Sequence, residues 1–75
     1  MTFEDLCERI PRCQEFSAKQ ISRIKELLEN RNKHLDSKEG VYFGAVSSDL
    51  RGKLYVWVSL LGGTRNELDL IDEVI

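Results

Sequence analysis

The soft metal ligands of this chain are two cysteines and one histidine, Cys7, Cys13 and His34. The Cys-x5-Cys spacing is not that of the usual short zinc knuckles, and three ligands are one fewer than a structural zinc site needs. Cys7 falls on the apolar side of a predicted helix, where a free cysteine behaves as a small hydrophobic residue. The sequence therefore predicts no bound metal and no cofactor.

Catalysis by a nucleophile needs a base within reach, and His34 is the natural base near neutral pH. It lies beside Lys33 in a polar stretch, which is typical of a solvated helix end. Carboxylates such as Asp69 are concentrated near the two ends of the chain, and we expect them to be surface groups. Gly62-Gly63-Thr64 lacks the lysine of a phosphate-binding loop and indicates a chain reversal instead. We therefore expect a protein that is not an enzyme.

Two sets of side chains are candidates for binding a partner. Tyr55, Trp57 and Leu61 share one face of a predicted strand, and aromatic residues of this kind are enriched in protein interfaces. The alternative that other parts of the chain cover this face as ordinary core stays open. Lys19 and Arg23, one helical turn apart, form the weakly basic surface on which a nucleic-acid-binding alternative would depend.

Composition limits the class of protein. Seventy-five residues, 41% hydrophobic and 32% charged, indicate one globular domain spanning residues 1–75. A core of this size gives marginal stability, so burial through self-association as a homodimer is a reasonable expectation. The net charge of −2 combines a mildly basic middle with acidic ends, which favours internal charge complementarity and makes nucleic acid an unlikely partner. The absence of a signal-peptide pattern and of a membrane-spanning apolar run predicts a cytosolic location with reduced cysteines.

The first half of the chain has the pattern of two helices. Thr2 can cap a short helix that Pro11 ends, followed by a tight connector to residue 15. A long amphipathic helix is predicted over residues 16–35, with Ser17 and Gln20 at the spacing of a capping box. A polar loop follows at residues 36–40.

The second half changes to a period of two residues and predicts a β-hairpin. Residues 41–47 and 54–61 are rich in β-branched and aromatic side chains, and Asp49 to Gly52 fits a turn. The register is open between a three-residue loop with a bulge at Gly52 and a two-residue loop. Thr64 and Glu67 predict a capping box for a last helix, with a third strand as the alternative.

The predicted fold is thus α+β, with two N-terminal helices, an antiparallel hairpin and a short C-terminal helix (ααββα) in two layers. For function we expect a small cytosolic protein–protein interaction or regulatory module that is not catalytic. It would self-associate or bind another protein through the aromatic sheet face. The alternative is an accessory protein that binds nucleic acid through the helix surface.

Overall fold

The protein is helical throughout the part of the chain that its structure, a computed structural model, describes: residues 1–33 and 41–75, with side chains for residues 1–33 and 43–75. The elements in chain order are α1 (Phe3–Arg9), a 3-10 turn (Pro11–Glu15), α2 (Ala18–Lys33), α3 (Val41–Leu60) and α4 (Arg65–Val74). No strand occurs within these two described ranges. The α+β prediction is therefore wrong.

The predicted hairpin is a single helix of 20 residues, α3. Leu50, Leu54 and Val58, spaced by four residues, are each 0% exposed and form the buried side of this helix. Asp49 was expected to begin a turn, but its carboxylate accepts a hydrogen bond from Lys53 at 2.6 Å, one helical turn later. The question of hairpin register consequently does not arise.

The physical reason for this error is that residues 41–61 are rich in apolar, β-branched and aromatic side chains with few charges among them. A run of apolar residues matches the strand period and the helix period equally well, so periodicity alone cannot separate them. Strand propensity is a weak preference that packing overrides. Here α3 packs against both α2 and α4, and these contacts favour the helix.

The cap predicted at Thr2 and the capping box predicted at Ser17 are both present, and Thr2 also forms a full capping box. The Thr2 hydroxyl accepts a hydrogen bond from the backbone N–H of Asp5, and the Asp5 carboxylate accepts one from Thr2 in return. Ser17 and Gln20 make the equivalent pair at the start of α2, at 2.8 and 3.3 Å. The predicted end of the long helix at residues 34–35 and the polar loop at 36–40 lie outside the described residues.

The last helix, α4, is also confirmed in place of the third strand. Thr64 and Glu67 form its capping box. The chain reverses before it in a Schellman motif, in which the N–H groups of Gly62 and Gly63 donate to the carbonyls of Ser59 and Val58. Gly62 has φ +83°, a conformation that glycine adopts without strain.

The core lies where α1, the 3-10 turn and α2 meet α3 and α4. Its buried hydrophobic residues are Leu6, Cys7, Ile10, Cys13, Phe16, Ile24, Leu27, Leu28, Leu50, Leu54, Val58, Ile71 and Val74. Ser47 is buried among them, and its hydroxyl accepts a hydrogen bond from Arg31 Nε at 3.0 Å. Within the described ranges, no helix has both the length and the apolar character needed to cross a bilayer.

Candidate functional site

The thiols considered as metal ligands lie inside the core. Cys13 is 0% exposed, and burial raises its pKa to about 12; burial also raises the pKa of Cys7. Both side chains are therefore protonated and weakly nucleophilic at neutral pH. Residues 1–33 and 41–75 bring together no group of three His, Cys, Asp or Glu side chains. His34 lies outside the described residues, so the expectation of no metal stays a prediction.

The three residues predicted to bind a partner do not share one face, because they lie on a helix and not on a strand. Trp57 of α3 and Leu61, the residue that follows this helix, are one turn apart on the same side, whereas Tyr55 lies on the other side. All three are partly buried against the core. The Trp57 ring meets Phe16 edge-on, with 5.9 Å between centroids, and the Tyr55 hydroxyl donates to Asp72 of α4. Their role in partner binding stays a prediction.

The predicted basic surface on α2 is only partly available. Arg23 makes ion pairs with Glu26 at 3.0 Å and with Asp49 of α3 at 3.7 Å. Lys19 is exposed. Because two carboxylates already offset the charge of Arg23, little net positive potential remains at this pair of residues.

The most conspicuous surface feature is the side of α3 that faces away from the core. Five exposed residues form a stripe along it, which we call the outer stripe: Ala45, Ser48, Gly52, Val56 and Ser59. Leu60 lies at its edge. Val56 is 56% exposed and Leu60 is 78% exposed, and these are the two exposed large apolar side chains among the described residues.

Contacts with neighbouring helices run along both edges of the outer stripe and leave its centre exposed. On one edge Asp49 binds Lys53 and Arg23, which joins α3 to α2. On the other edge Tyr55 binds Asp72, which joins α3 to α4. An open hollow lies beside the stripe, lined by Ser48, Asp49, Gly52, Lys53, Val56 and Trp57.

The two glycines inside α3 are not required by packing within the chain. A Cβ built on Gly44 or Gly52 would meet no atom within 4 Å. Glycine in a helix interior is less stable than alanine by about 0.5–1 kcal/mol. Contacts within one chain therefore do not explain why glycine occurs at either position.

A charged clasp on a different surface fixes α4 to the 3-10 turn. The Arg12 guanidinium binds both carboxylate oxygens of Glu67, at 2.5 and 3.0 Å, and donates to the Leu61 carbonyl at 2.9 Å. The hydrogen bonds from Arg12 first, and then from the Thr64 backbone, lower the pKa of Glu67 to about 2. Since every strong contact of this pair is internal, we assign it a structural role.

Sequence reasoning missed the outer stripe, although the signal for it was present. Its members are separated by three, four, four and three residues, which is helical spacing. Reading the same segment as two strands divided these residues between two predicted elements. Comparison with protein-family models, curated proteins and solved structures yields no match. The case for function therefore depends on this geometry.

Proposed function

We propose that this chain is a small protein-interaction module that binds its partner through the outer stripe of α3 and does no catalysis. The observation that carries the proposal is the exposure of Val56 and Leu60, at 56% and 78%. This keeps the interaction function expected from the sequence but changes the surface from an aromatic sheet face to a helix face. It also places Trp57 at the border of the surface, where it lines the hollow.

The physical argument concerns the two large apolar side chains on the outside of α3. Apolar surface left in water costs about 25 cal/mol per Å² relative to burial, so covering Val56 and Leu60 is favourable. In this chain, α2 and α4 cover only the inner side of α3. A protein partner would cover the remaining side and remove Val56 and Leu60 from water.

The same proposal includes a non-catalytic role and a cytosolic location. Two features support it: the thiols of Cys7 and Cys13 are both free and buried. Free thiols are typical of a reducing compartment, and burial with a raised pKa makes them poor nucleophiles.

Site-specific photo-crosslinking in cells tests the proposal. A photoreactive amino acid replaces Ser59 in the outer stripe or, as a matched control, Ser22, an exposed serine on α2. We expect a discrete protein adduct from position 59 and none from position 22. Adding Val56→Asp to the position-59 protein should abolish the adduct, because a carboxylate would then have to be desolvated in the contact.

Circular dichroism of the Val56→Asp protein provides the folding control, since position 56 is exposed and the helix should persist. Equal adduct yields at positions 59 and 22, or an adduct that Val56→Asp leaves unchanged, would contradict binding through the outer stripe.

A further inference from the structure

We propose that the partner is a second copy of this chain, whose α3 helix packs antiparallel against the first about a two-fold axis that passes beside Gly52. This inference rests on the proposed function, because it names the partner of the same surface. It is carried by three observations on the outer stripe: the spacing of its members, the distribution of large and small side chains, and the order of the charges along one edge.

The spacing of the outer stripe is the same in both chain directions. Counting from Gly52, its neighbours stand four and seven residues away on each side. A reversed copy centred on Gly52 therefore brings every member of the stripe level with another member, as a parallel copy in register also does. In the reversed copy, Val56 of one chain lies level with Ser48 of the other, and Ala45 with Ser59.

Side-chain size also favours the reversed arrangement. In antiparallel pairing, Val56 enters a hole formed by four residues of the other helix, Ala45, Ser48, Asp49 and Gly52, three of which are small. In a parallel pairing, Val56 would meet the second Val56 while glycine faced glycine, which leaves a gap. The antiparallel arrangement places each Val56 opposite the small residues of the other chain, and the two-fold axis repeats this contact on both sides.

A contact between two chains would explain why glycine occurs at position 52, because Gly52 belongs to a row of small residues at intervals of seven. Ala45, Gly52 and Ser59 follow one another at this interval along the centre of the stripe. Helix axes usually pack about 8–10 Å apart, depending on the side chains at the contact, and small side chains permit the shorter end of this range. Gly52, at the crossing point, would thus serve the contact between chains.

The charges along the edge are complementary to those of a reversed copy. Asp49 and Lys53 lie on the same edge of the stripe, and their side chains are 43% and 30% exposed. Within one chain these two side chains pair with each other at 2.6 Å. A two-fold axis beside Gly52 reverses their order, so Lys53 of each chain also approaches Asp49 of the other. Both intermolecular pairs then lie along the same edge of the contact and favour this register.

Sedimentation equilibrium of the full chain provides the first test. We expect the wild type to associate to a dimer over a concentration series that reaches the millimolar range. Gly52→Gln puts a long side chain at the crossing point and should raise the dissociation constant roughly tenfold or more. Ser22→Gln, the same change in composition on an exposed position of α2, should leave it unchanged.

Glutamine favours helix more than glycine does, so Gly52→Gln should not unfold the chain. Loss of helicity in this variant would remove it from the test, and Val56→Glu would replace it. Glutamate at position 56 keeps the helix propensity high but would bring a second carboxylate beside Asp49 in the hole.

Cysteine crosslinking tests the direction and the axis. Gly52→Cys should oxidise to a covalent dimer, because the two Cα atoms at the axis would fall within the distance of about 4.4–6.8 Å that a disulfide allows. Ala45→Cys mixed with Ser59→Cys should give a mixed disulfide, whereas neither should link to itself. Ser22→Cys is the control, and the buried native thiols contribute little background.

A monomer at every concentration would overturn the inference, as would self-linkage of Ala45→Cys, which indicates a parallel pair. The photo-crosslinking adduct at position 59 then separates two failures. An adduct of another mass on a monomeric chain would leave the interaction function standing with a different partner. The absence of any adduct would remove both proposals together.

Discussion

Helices α3 and α4 pack against each other, yet their outer sides carry different types of residue. In α4, Ile71 and Val74 are buried, whereas Asp69 and Glu73 are exposed. In α3 the exposed side carries Val56 and small residues, with Asp49 at one edge. The difference indicates that contacts within one chain account fully for α4 but for only one side of α3.

The largest effect that tests this comparison is truncation on the inner side of α3. Leu54→Ala should lower the free energy of unfolding by about 2–5 kcal/mol, because Leu54 is 0% exposed and its removal leaves a cavity. Leu60→Ala, on the outer side, should change it by less than about 0.5 kcal/mol. Urea denaturation followed by circular dichroism, at a protein concentration low enough to keep the chain monomeric, measures both. Equal losses would mean that Leu60 belongs to the core.

The glycines of α3 and of its C-terminal turn should respond with opposite signs. A Cβ on Gly63 would lie 2.4 Å from Val58 Cγ1 and 2.8 Å from the Val58 carbonyl oxygen, so Gly63→Ala should cost about 1–3 kcal/mol. Gly52→Ala should instead stabilise the monomer by about 0.5–1 kcal/mol, since its Cβ would enter open space. The same denaturation experiment measures both changes. A destabilising Gly52→Ala would show that the single chain uses this glycine after all.

The start of α4 provides a smaller effect. Thr64→Ala removes the hydroxyl that accepts from the Glu67 N–H at 3.3 Å and should cost about 1 kcal/mol. Thr64→Ser keeps the hydroxyl and is the matched control. Thermal unfolding midpoints of the three proteins measure the effect, and a midpoint for Thr64→Ala equal to the wild type would place the stabilisation of α4 elsewhere.

The clasp that holds α4 should appear as a pH dependence. The pKa of Glu67 is lowered from 4.5 to about 2, chiefly by the hydrogen bonds from Arg12. Its contribution to stability is therefore fully present above pH 4.5 and is lost as the pH falls towards 2. Urea midpoints of wild type and Glu67→Gln should converge over this interval. Glu73→Gln, at an exposed position of α4, should follow the wild type at every pH. If Glu73→Gln behaved like Glu67→Gln instead, the effect would come from general charge.

The sequence predicted those elements whose ends carry specific hydrogen bonds. Thr2, Ser17 and Thr64 each stand three residues before a matching Asp, Gln or Glu, and a helix follows each of them. α3 has no such signal within the described residues, and its valines and aromatic residues resemble strand sequence. What decided its structure was packing against α2 and α4, which only the assembled chain contains.

The sequence did not locate the candidate site. The residues named as partner-binding, Tyr55, Trp57 and Leu61, are partly buried against the core, whereas Val56 and Leu60, which were not named, are exposed. The named residues were chosen by a two-residue period. On a helix that choice selects Tyr55 and Trp57, which point to different sides, and omits Gly52, the centre of the outer stripe.

The position of Trp57 gives the protein an internal optical probe. It is the one tryptophan of the chain, it contacts Phe16 on the core side, and it lines the hollow beside the outer stripe. Its fluorescence emission should therefore respond to two separate equilibria. Unfolding would expose the indole and shift the emission to the red, whereas covering the hollow would shift it to the blue with the helices intact. The fluorescence of Trp57 should therefore report partner dissociation on dilution and unfolding on addition of denaturant.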